Sequence, residues 1–122
     1  INMYWRHILN EFGSEGVSHE VLQSYAENAA IPASQLLDEV AAFIAKEYSA
    51  KRMSFAEADL VINNVWCLAT GLDVGISRIV WAVYLAFDGG EYRRSGDGPE
   101  VDPERKYTVP AISAFLLQCP KL

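Results

Sequence analysis

The chain has 122 residues, 51% of them hydrophobic, with 16 acidic against 10 basic side chains and a net charge of −6. That length and apolar content suit one domain with one core, spanning residues 1–122, and exclude a largely disordered chain. The negative balance repels nucleic-acid phosphates and anionic bilayers at long range, and favours either a basic partner or simple solubility.

Read in order, the sequence yields about six helices and no clear strand pattern. The first covers about 2–12, with Ile1, Trp5, Ile8, Leu9 and Phe12 on one face and Gly13 as its stop. The second starts with Ser18 as N-cap, carries Val21, Leu22, Tyr25 and Ala29 as its stripe, and ends before Pro32. Pro32 then opens a third helix reaching about Tyr48. Its predicted core face is Leu36, Leu37, Val40, Phe43 and Ile44, with Asp38, Glu39, Ala42 and Lys46 pointing outward. Glu47 projects onto the apolar arc and is expected to reach water at the helix end.

The stretch Ser54–Thr70 has the clearest boundaries and is expected to organise the core. Ser54 and Glu57 have capping-box spacing, worth about 1 kcal/mol. Gly71 is placed for a left-handed C-cap. Phe55, Ala58, Val61, Ile62, Val65, Trp66, Leu68 and Ala69 form one broad face, and Glu57, Asp59, Asn63, Asn64 and Thr70 lie opposite.

A fifth helix covers about 77–87. Ile76, Ile79, Val80, Val83, Tyr84 and Phe87 repeat with helical spacing, and Gly89-Gly90 ends it. Residues 88–108 then hold four glycines, two prolines and ten charged side chains. This stretch is read as a long irregular loop pinned by Tyr92 and Tyr107, within which Asp102-Pro103-Glu104 reads as an N-cap followed by a proline-led turn of helix. Thr108 is expected to cap a last short helix over 110–119, packing through Ile112, Phe115 and Leu116. The fold class is therefore all-α: a helical bundle or short stack of helical hairpins.

Few constellations carry chemistry. Tyr25–Val40 has the outline of a helix-turn-helix. Its second helix, however, offers Gln35, Asp38 and Glu39 with no base before Lys46, so binding to nucleic acid is not expected. Asp97, Glu100, Asp102 and Glu104 lack calcium-loop spacing and have Arg93, Arg94, Arg105 and Lys106 to pair with, so no metal is expected. Cys67 and Cys119 form no C-x-x-C unit; reduced thiols in a cytoplasmic protein are the simpler reading. The longest apolar run, Ile79–Phe87, has nine residues, against about twenty needed to cross a bilayer, so no membrane partner is expected. The chain opens at Ile1 rather than at a methionine, which leaves room for an upstream segment, and no signal-peptide pattern is visible.

The surplus lies on the fifth helix. Trp81 and Leu85 are i, i+4 neighbours on the side away from its main stripe, beside Arg78. These residue types anchor protein interfaces, and Leu60 and Cys67 on the polar side of the fourth helix extend or mirror the patch. Either a second layer of the same chain covers it, or a second molecule does, and self-association into a homodimer is the favoured case. The functional expectation is thus a soluble, acidic, non-enzymatic interaction or regulatory module with no cofactor, binding a protein partner or itself; no small-molecule ligand can be assigned. The alternative is a small enzyme or ligand-binding protein with an interhelical pocket near residues 88–108. Its mark would be His7 or His19 brought to Cys67 or to a carboxylate.

Overall fold

The computed structural model of the protein describes residues 3–13 and 17–118, with side chains from residue 7 onward. The predicted packing of Ile1 and Trp5 and the predicted helix end at Cys119 lie outside the described residues. Six α-helices follow one another: α1 Met3–Phe12, α2 His19–Ala29, α3 Ala33–Ser49, α4 Phe55–Thr70, α5 Arg78–Gly89 and α6 Val109–Gln118. A π-helical turn, Glu104–Thr108, leads directly into α6. Among the described residues there is no strand, and no helix is long and apolar enough to cross a membrane.

Helix α4 shares the centre of the bundle with α3 and α5, and α3 has the most buried residues of the three. Helices α3, α4 and α5 pack on one another, α6 leans on α3 and α5, α2 packs on α3, and α1 packs on α4. Nine of the 17 residues of α3 are buried: Leu36, Leu37, Val40, Ala41, Ala42, Ile44, Ala45, Glu47 and Tyr48. Ala42, expected to face out, is buried with Ala41 and Ala45 because three small side chains let neighbouring helices approach from more than one side.

Glu47 also departs from expectation. It is only 6% exposed, and it meets not water but Arg52, whose Nε and Nη2 both donate to Oε2, at 2.9 and 2.6 Å. Lys51, in the left-handed region at φ 64°, turns the chain back so that Arg52 can reach. The two charge-assisted bonds from the Arg52 guanidinium offset part of what the buried carboxylate loses on leaving water.

The caps explain most helix boundaries. Ser18 accepts from the Val21 N–H, and Ser54 with Glu57 forms both halves of the predicted capping box. Ser77 accepts from the Val80 N–H and donates to Asp38, so the start of α5 is fastened to α3. Pro32 sits just before α3 in an extended conformation instead of being its first residue.

Gly71 is right-handed at φ −89°, not left-handed. The ring of His19 lies against it, and a Cβ there would stand 2.6 Å from Nε2. Handedness therefore does not require glycine there, and an added Cβ would displace only the exposed end of the His19 side chain. The left-handed C-cap falls instead on Ala30, φ 57°, after α2.

The expected irregular stretch 88–108 is shortened at both ends. Helix α5 runs through Gly89, and helical structure resumes at Glu104. Thr108 is no N-cap: it is wholly buried inside continuous helix, and its hydroxyl donates to the Ala86 carbonyl at 2.7 Å. That bond satisfies a carbonyl near the C-terminus of α5. The remaining connection is tied to itself. Arg94 lies over the Tyr92 ring at 4.2 Å and the Tyr107 ring at 4.5 Å. Asp97 accepts from the Arg94 N–H, the Tyr107 hydroxyl and the Lys106 ammonium, which hold its carboxyl well below the usual carboxylate range.

Candidate functional site

The residues singled out on α5 emerge together on one side of the bundle. Val80, Val83 and Phe87 turn inward, so the opposite face of the same helix must turn outward. Trp81 is 48% exposed and Leu85 47%, and Arg78 and Ala82 complete the exposed stripe. Other exposed apolar side chains, Val74, Tyr92, Val109 and Leu117, are scattered over other elements, as single surface hydrophobes commonly are.

The stripe is backed by an aromatic row. The Trp66 ring of α4 stacks on Tyr84 of α5, with centroids 3.9 Å apart and planes at 16°. Its other neighbour is Trp81, at 5.1 Å and 48°. Trp66 and Tyr84 were expected wholly within the core; both are half-buried, because the seam between α4 and α5 opens onto the surface here. The row fixes the Trp81 indole against a rigid support while leaving half of it to solvent. Such a supported ring loses little conformational freedom on binding, which is what makes aromatic anchors effective.

Of the candidates on α4, Cys67 joins this face and Leu60 does not. Cys67 is exposed and close enough to Tyr84 to contribute to its raised pKa, whose larger causes are burial and the carboxylates of Asp88 and Glu91. Leu60 is exposed on the α1 side of α4 and lines a cleft of about 530 Å³ with Leu9, Gly13, Met53 and Glu57. A second cleft of about 760 Å³ runs between α3, the start of α4 and α6, and includes Tyr48, Phe55, Glu104 and Ile112. Neither cleft is lined by His7, His19 or Cys67. The Tyr48 hydroxyl donates to Glu104 at 2.5 Å; burial first and that carboxylate second push its pKa up.

Beyond Leu85 the stripe ends in carboxylates. Asp59 of α4, half-buried, faces Asp88 and Glu91. One of its oxygens, Oδ1, is buried and makes no hydrogen bond among the described residues. Burial first, then Glu91 as hydrogen-bond partner and as charge, then Asp88, push the Asp59 carboxyl up to about 7. This cluster was not legible in sequence. Asp88 and Glu91 are one turn apart, but Asp59 reaches them only because α4 and α5 are neighbours.

The sign of the consequence follows from linkage. Unfolded, Asp59 loses its proton near 4; folded, it keeps it to about 7. Its contribution to stability is therefore fully present below pH 4 and is lost as pH rises through 7. Asp59→Asn, which stays neutral, is expected to match wild type near pH 4 and to be more stable at pH 8 by about 1 kcal/mol after solvent screening. Urea midpoints of both proteins at the two pH values check this; a constant difference between them would remove Asp59 as the titrating group.

No known protein family, curated protein or solved structure matches this chain.

Proposed function

We propose that this protein is an interaction module that docks a protein partner through the outer face of α5 and its aromatic backing on α4. The single observation that carries the reading is the Trp81–Leu85 pair, half exposed and held on the Trp66–Tyr84 stack beside Arg78. Trp, Tyr and Arg dominate the energetics of protein interfaces, and here they converge on one rigid pair of helices. Helix α3 would have to be the reading helix of a helix-turn-helix, yet it lies in the middle of the core with Asp38 tied to Ser77. That arrangement supports a protein partner over a nucleic acid.

A photo-reactive amino acid at position 85, introduced in the native host, tests the reading. A cross-linked protein adduct is expected from position 85 and none from position 23 on the exposed side of α2. Trp81→Asp is expected to abolish the adduct and to cost the fold about 2–3 kcal/mol, since only half of the indole surface is buried and no core position is lost. An empty position 85, or a Trp81→Asp protein that no longer folds, defeats the proposal.

A further inference from the structure

The outer face of α5 carries a charge pattern that is wrong for the helix to which it belongs. Arg78 is its first residue and Asp88 stands in its last turn, with no acid in the first turn and no base in the last. A helix N-terminus favours negative side chains and a C-terminus positive ones, each by about 0.3–1 kcal/mol. Both charges therefore oppose the macrodipole of α5. Among the described residues neither forms an ion pair to offset this; the ion pairs there are Arg52–Glu47 and Lys106–Asp97.

The pattern is also symmetric. Trp81 and Leu85 stand two residues either side of Val83, and Arg78 and Asp88 stand five either side. At 100° per residue all four fall within about 80° of helix circumference. A two-fold axis crossing the outer face at the level of Val83 brings a second α5 antiparallel to the first. At 1.5 Å rise per residue, Trp81 of one copy meets Leu85 of the other about 3 Å from the axis, and Arg78 meets Asp88 about 7.5 Å from it. Ala82, small and exposed, flanks this arc one turn after Arg78 and leaves room at its edge.

Resting on the reading of this face as a docking surface, we infer that its occupant is a second copy of the same chain, held antiparallel along α5 with two Arg78–Asp88 pairs related by the two-fold axis. The antiparallel arrangement removes the dipole conflict, because each Arg78 then lies near the C-terminal end of the partner helix. It also brings a cation to the Asp59–Asp88–Glu91 cluster, which has none of its own among the described residues. The stripe is about 15 Å long, which places the contact at the small end of protein interfaces, so a weak dimer is expected. The net charge of −6 on each copy opposes approach, but beyond about 8 Å that repulsion is screened at physiological ionic strength.

The test is sedimentation equilibrium at 0.15 M salt up to about 1 mM protein, for wild type, Arg78→Asp, Asp88→Arg and the double variant. Each single swap places like charges opposite one another at two symmetric positions and is expected to weaken the dimer about tenfold or more, while the double swap restores it. Both swaps put the favoured sign at their helix end, so thermal midpoints are expected to hold or rise, and loss of fold does not confuse the result. A wild type that stays monomeric overturns the inference. So does a dimer that is indifferent to the single swaps or not rescued by the double one. Failure here combined with a position-85 adduct to a different protein leaves the docking face standing and removes only the self-pairing; failure of both removes the face.

Discussion

Phe87→Ala is expected to cost about 3–5 kcal/mol, a large share of the 5–15 kcal/mol that holds a domain of this size together. Phe87 is wholly buried at the junction of three helices. Its ring meets Tyr48 of α3 edge-on at 5.0 Å and 72°, and Phe55 of α4 at 5.8 Å and 46°. Tyr48 is itself fixed through its hydroxyl to Glu104, so it cannot swing into the vacated space without giving up a bond to a carboxylate. The cavity therefore stays open, and the full cavity term adds to the lost transfer energy. Phe55→Ala, at the half-buried edge of the same cluster, is expected to cost clearly less. Urea denaturation of both variants measures the contrast. A Phe87→Ala loss under about 1.5 kcal/mol would mean that the helices collapse onto the gap and that this junction is not rigid.

Gly90→Ala is expected to destabilise by about 2–3 kcal/mol, against the usual sign for such a change. The backbone there is right-handed, φ −87°, so alanine fits conformationally, and stiffening the unfolded chain alone would stabilise by about 0.4–1 kcal/mol. Space decides otherwise. A Cβ at Gly90 would lie 2.1 Å from Thr108 Oγ1 and 2.8 Å from Phe55 Cε1. Thr108 is wholly buried and committed to the Ala86 carbonyl, so it cannot rotate away without orphaning that carbonyl. Adding Thr108→Ala to Gly90→Ala removes the nearest obstacle, and the double variant is expected to lose less than the two single losses combined. A raised denaturation midpoint for Gly90→Ala would show that α5 and the turn before α6 do not touch at this point.

The sequence by itself determined the helices and much of their inner faces. Periodicity of Val80, Val83 and Phe87, of Leu36, Leu37, Val40 and Ile44, and of Ala58, Val61, Ile62 and Val65 marks buried stripes, because side chains three and four apart share a helix face whatever the neighbours are. The caps at Ser18 and Ser54 were equally legible, since capping is a contact between residues three apart. The position of Trp81 and Leu85 away from the core stripe follows from the same periodicity.

What needed the tertiary structure were relations between residues far apart in the chain. Glu47 is buried because Arg52 folds back over it, and Ala42 because α3 is enclosed by its neighbours. Gly90 is a glycine because the buried Thr108 presses on it, a proximity that no local pattern encodes. The proline-led helical turn at Asp102-Pro103-Glu104 was legible, but that it runs on through residues 105–108 was not, because Thr108 and Tyr107 find their partners on α5 and in the preceding turn. The candidate face divides the same way. Spacing along one helix gave Arg78, Trp81 and Leu85, but the Trp66–Tyr84 support and the Asp59–Asp88–Glu91 cluster exist only where α4 lies beside α5. A one-dimensional pattern reports which way a side chain points from its own helix axis; what stands there to meet it is set by the packing of the other helices.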